Sequence, residues 1–296
     1  MVTDFKLTTP PRVSIIIPFL NPEIAYFEEA VESVFAQEFR EWELLLVNDG
    51  SGPRATHFAE TLARRHPSRV RLLAHPGGSN KGVATSRSLG LEHARGDLIA
   101  CLDSDDVWKP EKLSEQVRIL DATPHVDMIF GRSLYWQSWN KDARHGDFVH
   151  DLGVPDRAEM KPGEFLLRFL QYKVIVPVPS CIMVRKKAVY AAEGFGNLQS
   201  IYEDQAFYAK LSLVGAVMAC AEVWNRYRVH DNSSCGSSSR AQKRAARRDF
   251  LQWLQRELSK KGTMTAALRR TVRIELFACT LPVGPQITRM FRQLKN

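Results

Sequence analysis

The sequence predicts an α/β fold in which a mostly parallel sheet is flanked by helices, followed by a short basic helical extension. Two observations predict it. Apolar, strand-like runs alternate with helix-like stretches four times in about the first hundred residues, the pattern of parallel βαβ units covered on both faces. The runs also end in proline-containing, polar or acidic turns, and an open α/β sheet gathers such turns at one end, in the crevice where it binds ligands.

Each element has a local reason. Val13-Ser14-Ile15-Ile16-Ile17-Pro18 is β-branched on both faces and ended by proline, so it reads as a buried strand. Residues 28–39 place Ala30, Val31, Val34 and Phe35 at helical spacing. Glu43-Leu44-Leu45-Leu46-Val47 is a second buried strand, closed by the turn Asn48-Asp49-Gly50-Ser51. A helix over 54–66, a strand over 70–73, a glycine-rich loop over 77–82, a helix over 83–94 and a strand over 97–102 follow. Beyond them the pattern is less regular: strands over 126–130 and 180–184, a helix over 203–214, and a loop over 140–165. The serine-rich run 233–239 is a linker by composition. It divides the chain into a main domain, 1–235, and an extension, 236–296.

The length suffices for one substantial core with a small appendage. The net charge of +8 is uneven: residues 240–296 carry 14 Lys and Arg against 3 Asp and Glu, which leaves the preceding 239 residues at −3. Within this basic tail, 240–258 and 264–281 have amphipathic helical patterns. They suit either an anionic membrane surface or packing of their apolar sides on the main domain. No stacking-aromatic module accompanies the charge, so nucleic acid is not an expected partner. Five cysteines are too few and too scattered for a disulfide scaffold or a zinc finger, and Cys101 and Cys220 read as reduced core residues. The first residues lack a secretory pattern, and no apolar run approaches the roughly 20 residues that span a bilayer. The expected location is cytoplasmic, with peripheral contact at the inner face of the membrane open to the basic helices.

The most informative segment is Asp103-Ser104-Asp105-Asp106, directly after the apolar strand Leu98-Ile99-Ala100-Cys101-Leu102. Carboxylates a few ångströms apart repel, and each resists losing water without a compensating cation or donor. A hard divalent metal bridging to phosphate is the simplest compensation. The competing reading is a solvated, capped turn before the next helix.

Taken together, the motifs resemble family 2 of the inverting, nucleotide-sugar-dependent glycosyltransferases, which have the GT-A fold. They are Pro18-Phe19-Leu20-Asn21, Val47-Asn48-Asp49-Gly50-Ser51, Asn80-Lys81-Gly82 through Ser86-Arg87, Gly96-Asp97 through Asp106, Gly194-Phe195 before Glu203-Asp204, and Arg228-Val229-His230. The resemblance spans roughly residues 12–235. It implies a nucleotide-sugar donor bound by Pro18, Phe19, Asn21, Asp49, Lys81, Arg87, Asp103, Ser104 and Arg228, with Asp49 at the position that hydrogen-bonds the base. It implies Mn²⁺ or Mg²⁺ held by Asp105, with Asp103 and His230 assisting. It implies that the general base is Asp204, near a helix start whose positive dipole would keep it ionised at neutral pH; the competing reading is a carboxylate that merely caps the helix. Glu203, Trp108 and Ser180 fall to the acceptor side, and Trp136 and Trp139 are further stacking candidates. The competing readings are an Asx-turn cap for Asp49, surface charges at a helix start for Lys81 and Arg87, and a structural histidine for His230.

Leu20 stands where many relatives carry an aromatic residue, which weakens a choice of uridine. The Gln-x-x-Arg-Trp pattern of processive members does not follow Glu203-Asp204. The expected activity is therefore transfer of a single sugar to a glycan or lipid-linked saccharide, in cell-surface polysaccharide or glycolipid biosynthesis. The alternatives are transfer to a polyprenyl phosphate itself, or a non-catalytic nucleotide-sugar-binding or membrane-adaptor role. A dinucleotide oxidoreductase is excluded by the absence of Gly-x-Gly-x-x-Gly after Ile17. A nucleotidyltransferase is disfavoured because no glycine-rich, arginine-containing loop follows the first strand.

Overall fold

The computed structural model describes residues 10–281 apart from 144, 197, 199 and 232–235. Four parallel strands form its first half: β1 (Val13–Phe19), β2 (Trp42–Asn48), β3 (Val70–Ala74) and β4 (Leu98–Cys101), with β1 paired to both β2 and β4. Helices α1 (Ile24–Phe35), α2 (Pro53–Arg65) and α3 (Val83–His93) connect them. Strands β1 and β2 are buried along their whole length, and their side chains alternate between two cores, as a period of two requires. Ile15, Ile17, Leu44 and Leu46 join the cluster under α1, α2 and a fourth helix, α4 (Lys112–Ala122). Ile16, Leu45, Val47 and Cys101 join the cluster on the opposite face.

The second half extends the same sheet. Two long strands, β6 (Val126–Trp136) and β10 (Ala216–Arg228), pair in parallel. A short strand, β9 (Ile182–Arg185), lies antiparallel between β4 and β6, so β4, β6 and β10 all point the same way. The two-residue β5 (Val107–Trp108) closes the order β3-β2-β1-β4-β9-β6-β10-β5, and β7 (Phe148–Val149) and β8 (Ala158–Met160) add to β6 and β10. The mostly parallel α/β architecture expected from the sequence is therefore present.

Some boundaries differ from expectation. Helix α1 runs four residues earlier than 28–39, because the Gln37 amide takes the Ser33 carbonyl and turns the chain out of the helix. The segment 140–165 holds β7 and β8, and residues 179–181 form a 3-10 turn before β9. Strand β10 was not expected at all. It carries Glu222 and Arg226 within a broken apolar pattern, and Glu222 is neutralised by Arg157 from the β8 side. The register of β10 shifts between Ala219 and Asn225, so it bends as it passes β6.

After α5 (Glu164–Leu170), α6 (Lys186–Ala191) and α7 (Glu203–Val214), the last described helices are α8 (Arg240–Lys260) and α9 (Ala266–Ala278). Ser239 and Gln242 form a reciprocal capping box at the start of α8. Phe250, Leu251, Leu254 and Leu258 of α8, with Leu268 and Val272 of α9, share one buried cluster with α5 and α7. The apolar side of the basic extension is thus spent on the main core. Residues 233–235 of the expected linker, Cys235 included, and residues 282–296 lie outside the described residues. The remaining four cysteines are free thiols, all buried. Among the described residues no helix is long and apolar enough to cross a membrane.

Because Phe250 is fully buried in that cluster, Phe250→Ala is expected to lower stability by about 3–5 kcal/mol. Urea unfolding of the full chain measures it, and a loss below about 1 kcal/mol would show that α8 lies on the surface rather than in the core.

Candidate active site

The crevice is built first by clips between strand ends. Asn21, in the left-handed region at φ 44°, accepts the Gly52 N–H on Oδ1 at 2.7 Å, and its own N–H donates to Ser51 Oγ at 2.9 Å. The Phe19 carbonyl accepts from the Asp49 N–H at 2.9 Å. These bonds lock the end of β1 to the turn after β2. Asp49 is buried, and its carboxylate accepts the backbone N–H groups of Lys81 at 2.7 Å and Gly82 at 3.0 Å. The loop before α3 is therefore tied to the β2 turn by Asp49. Gly50 makes the approach possible: at φ +87° it passes so close that a Cβ would lie 2.8 Å from the Asn80 nitrogen. Pro18 and Phe19 are buried in the strand, with Phe19 packed on Phe27 at 4.9 Å between ring centroids.

The acidic turn after β4 divides into separate environments. Asp106 is fully buried; the Ser180 hydroxyl donates to it at 2.6 Å and the Arg228 N–H at 3.0 Å. Burial, followed by the charges of Asp105 and Asp103, pushes the Asp106 carboxyl well above the ordinary range. Asp105 is more exposed and lies 2.9 Å from Nε2 of His230, so two metal-type donors from distant parts of the chain meet. Ser104 sits partly buried in the turn between them.

Asp103 faces the other way, toward Arg87 on α3. The Arg87 guanidinium lies 2.7 Å from Oδ1 of Asp103 and 3.2 Å from Oε1 of Glu203, at the first residue of α7, and is itself 4% exposed. Burial would lower its pKa, but Asp103, with Cys101 and Glu203, raises it above the ordinary value, so the cation is held. Burial raises the carboxyls of Asp103 and Glu203 while Arg87 pulls both down. One buried cation thus joins the acidic turn to the helix that carries Asp204.

Asp204 has no ion-pair partner among the described residues; its Oδ1 accepts only the N–H of Gln205, at 2.6 Å. Burial, then the neighbouring Glu203 charge, pushes its pKa up to about 8. This corrects the expectation that the helix dipole would keep it ionised at neutral pH. A dipole contributes about 1 kcal/mol at an exposed helix end, whereas desolvation of a buried carboxyl can move a pKa by several units. Tyr208, one turn along α7, lines the same small recess as Asp204, Glu203 and Arg87, and its buried hydroxyl has no hydrogen-bond partner among the described residues.

Several expected contact residues serve the floor instead. Ser180 is fully buried, its hydroxyl shared between Asp106 and the Asp103 N–H, and Trp108 is buried with Nε1 on the Ser180 carbonyl. Neither side chain is exposed to the crevice surface. Lys112 lies 4.0 Å over the Trp108 ring. Arg228, 2% exposed, donates to the Asp105 carbonyl and to Glu29 and packs between Tyr26 and Trp136. It staples the acidic turn rather than reaching into the crevice. Trp139 donates to the Val229 carbonyl and packs edge-on against Tyr26. Lys81 meets Asp49 through its backbone N–H. Glu29, Tyr208 and His75, whose Nε2 lies 3.6 Å from Oδ1 of Asp49, were not singled out from the sequence. The i, i+4 spacing of Tyr208 from Asp204 is the only signal there that pointed to the site.

This arrangement defines a class: an α/β sheet whose strand ends carry an acidic turn and an Asp–His pair, facing a helix start that bears the partly buried carboxyl of Asp204. The glycosyl transferase family 2 model matches residues 14–191, and the chain belongs to that family. It is 25% identical over 215 residues to the succinoglycan biosynthesis protein ExoW of Rhizobium meliloti, covering 67% of this chain and 62% of that protein. It is 36% identical over 121 residues to an uncharacterized glycosyltransferase of Haemophilus influenzae, covering 41% of this chain and 46% of that protein. A further relative, y4gI of Sinorhizobium fredii, is matched over only 18% of its length. The chain thus spans less than two thirds of these relatives. Among solved structures, S. aureus TarS 1–349 in complex with UDP-GlcNAc superposes with TM-score 0.67 at 16% identity, over 95% of this chain and 79% of that one. The mannosyltransferase PcManGT of Pyrobaculum calidifontis, in complex with GDP-Man and Mn²⁺, gives 0.58 at 16% identity, over 98% and 82%. The fold is that of the GT-A glycosyltransferases.

Arg87→Met removes the shared cation and leaves two carboxyls in a buried site. The expected loss of stability is about 3–5 kcal/mol at neutral pH. Without Arg87 both carboxyls titrate still further above their unfolded range. The loss should therefore grow as pH rises through that interval and shrink toward about pH 4. Urea unfolding of wild type and variant over a pH series checks this; a loss independent of pH contradicts the bridge.

Proposed function

We propose that this chain transfers a single sugar, with inversion and divalent-cation assistance, from a nucleotide-sugar donor to a hydroxyl of a glycan or lipid-linked saccharide. The reaction belongs to cell-surface polysaccharide or glycolipid biosynthesis. The observation that carries the reading is the isolation of Asp204. Asp103 and Glu203 are bound to Arg87, Asp106 to Ser180 and the Arg228 N–H, and Asp105 to His230. Among these carboxylates Asp204 alone has no side-chain partner, its hydrogen bond coming from the Gln205 N–H, and it lies beside the acidic turn. A single base suits a direct displacement, in which it removes the acceptor proton as the hydroxyl attacks opposite the leaving group. Support comes from relatives and neighbours, one a succinoglycan biosynthesis protein, others bound to UDP-GlcNAc or to GDP-Man and Mn²⁺.

Among the described residues no cluster of three or more His, Cys, Asp or Glu is placed to hold a metal by itself. Asp105 and His230 alone provide two donors of the right kind. That set fits an ion such as Mg²⁺ or Mn²⁺ that takes its remaining ligands from substrate phosphates and water. When bound there, the ion would supply Lewis-acid stabilisation of the departing diphosphate. The residues of the chain do the rest. Arg87 holds Asp103 and the start of α7 at a fixed separation. Asp204 accepts the acceptor proton, and a pKa near 8 makes it a stronger base than an ordinary carboxylate. Asp49 and Asn21 keep the turns that floor the donor side in place.

Because Asp204 works in its deprotonated form, a raised pKa means that activity falls as pH drops below it. With a hydroxyl acceptor, log kcat/KM should rise with unit slope and level off above about pH 8. Asp204→Asn should lower turnover at least about 100-fold while nucleotide binding with Mn²⁺ persists, whereas Asp105→Ala should lose that metal-dependent binding. Nucleoside diphosphate release and calorimetry measure both. Full turnover in Asp204→Asn would overturn the assignment of the base.

A further inference from the structure

The recess beside Asp204 holds a second oxygen that the chemistry above does not use. Phe195, Phe207 and Ile182 give it an apolar wall, and its free space is about 10 Å³, room for no more than a single water. Tyr208 lines it, is 1% exposed, and has no hydrogen-bond partner for its hydroxyl among the described residues. Leaving a buried hydroxyl unpaired costs stability, and most buried polar atoms in folded proteins are paired. A phenylalanine would fill the same space without that cost, so the oxygen calls for a role.

Asp204 is the neighbour that supplies one. The two residues stand one turn apart on α7, and both line the recess. Long side chains on a helix lean back over the preceding turn, which carries the Tyr208 ring toward Asp204. The Asp204 carboxyl takes only the Gln205 N–H, whereas an ionised carboxylate can accept several donors. Burial, and then the Asp204 charge, hold the Tyr208 hydroxyl well above its ordinary range. It therefore stays protonated and able to donate wherever the protein works.

The other charged and titratable groups around Asp204 are Glu203 on its own helix, Arg87 on α3, Asp103 in the acidic turn and the Cys101 thiol at the end of β4. Glu203 and Asp103 are acceptors, both held by Arg87. Arg87 also has an unpartnered Nε, but those two carboxylates fix the direction of its fork, while a hydroxyl rotates to meet a partner. The thiol, pushed up to about 11 by burial, is a weak donor.

We propose that Tyr208 is a positioning residue for the base: its hydroxyl donates to the ionised carboxylate of Asp204 and leaves the other oxygen aimed at the acceptor hydroxyl. This rests on the glycosyltransferase reading above and adds a residue to it. Donation to the charged form favours ionisation, so the bond offsets part of the rise that burial imposes on Asp204.

The test is Tyr208→Phe, which keeps the ring and removes only the oxygen. At about pH 6, where Asp204 is mostly protonated, the thermal midpoint should be unchanged or higher. Nucleotide binding with Mn²⁺ should be unchanged. The rising limb of log kcat/KM should move up by at least about one pH unit, a loss of about tenfold at neutral pH. Carbon-13 NMR of the aspartate carboxyls, with Asp204 identified by its loss in Asp204→Asn, should show the same move without any turnover. A folded Tyr208→Phe in which the limb and the Asp204 carboxyl both titrate as in the wild type overturns the proposal. So does a lowered midpoint or a failure to fold, since either makes the hydroxyl structural. A wild type that turns over no nucleotide sugar would instead defeat the glycosyltransferase reading, while the NMR titration still decides the hydrogen bond.

Discussion

The site depends on the position of one guanidinium. Arg87 is almost completely buried on α3, yet it pairs with carboxylates from the turn after β4 and from the start of α7. Without that cation, Asp103, Glu203 and Asp204 would repel one another across a poorly hydrated space, and the acidic turn and the helix would have no electrostatic reason to approach. Arginine suits the task because its planar fork offers separate N–H groups to two partners and stays charged when buried. The position of α3 is set in turn by Asp49, which accepts the N–H groups just before the helix begins. A chain of specific polar contacts thus runs from the β2 turn through α3 to the acidic turn and α7.

The first half of the fold was legible because its strands are continuous β-branched or leucine runs ended by turn residues. Val13–Phe19 and Trp42–Asn48 are buried on both faces, so no alternation had to be resolved. Strand β10 was illegible for the opposite reason. Its charges are satisfied by a distant segment, as Arg157 does for Glu222, and its path is bent at Val223, so neither period nor polarity marks it. The acidic turn, Asp105 with His230, and Glu203 with Asp204 were found from motif order. Their pairing through Arg87 was not, since a buried arginine and an exposed helix-start arginine look the same in one dimension. The placement of Ser180 and Arg228 was not legible either: both types are common on ligand surfaces, and only the structure shows that they direct donors to Asp106 and the turn backbone.

The extension illustrates how composition can mislead. Its net charge dominates that of the whole chain and invites a surface role. In the structure its apolar residues complete the core around α5 and α7, while Arg247 reaches Gln205 beside Asp204. The same helix therefore packs on the main core and contacts the first turn of α7. The remaining basic residues of its first turns are turned to a cleft rather than scattered over a surface.

The carboxylates fall into paired, buried and isolated sets, and this separation bears directly on stereochemistry. A site with one available base performs a single displacement, so the transferred sugar changes its anomeric configuration. Proton NMR of the sugar released by slow donor hydrolysis, read before mutarotation with Mn²⁺ present, measures this directly. The account predicts that the first-formed sugar has the anomeric configuration opposite to that of the donor. A first-formed sugar with the donor's own configuration would require a second participating group and would contradict the assignment of Asp204 as the lone base.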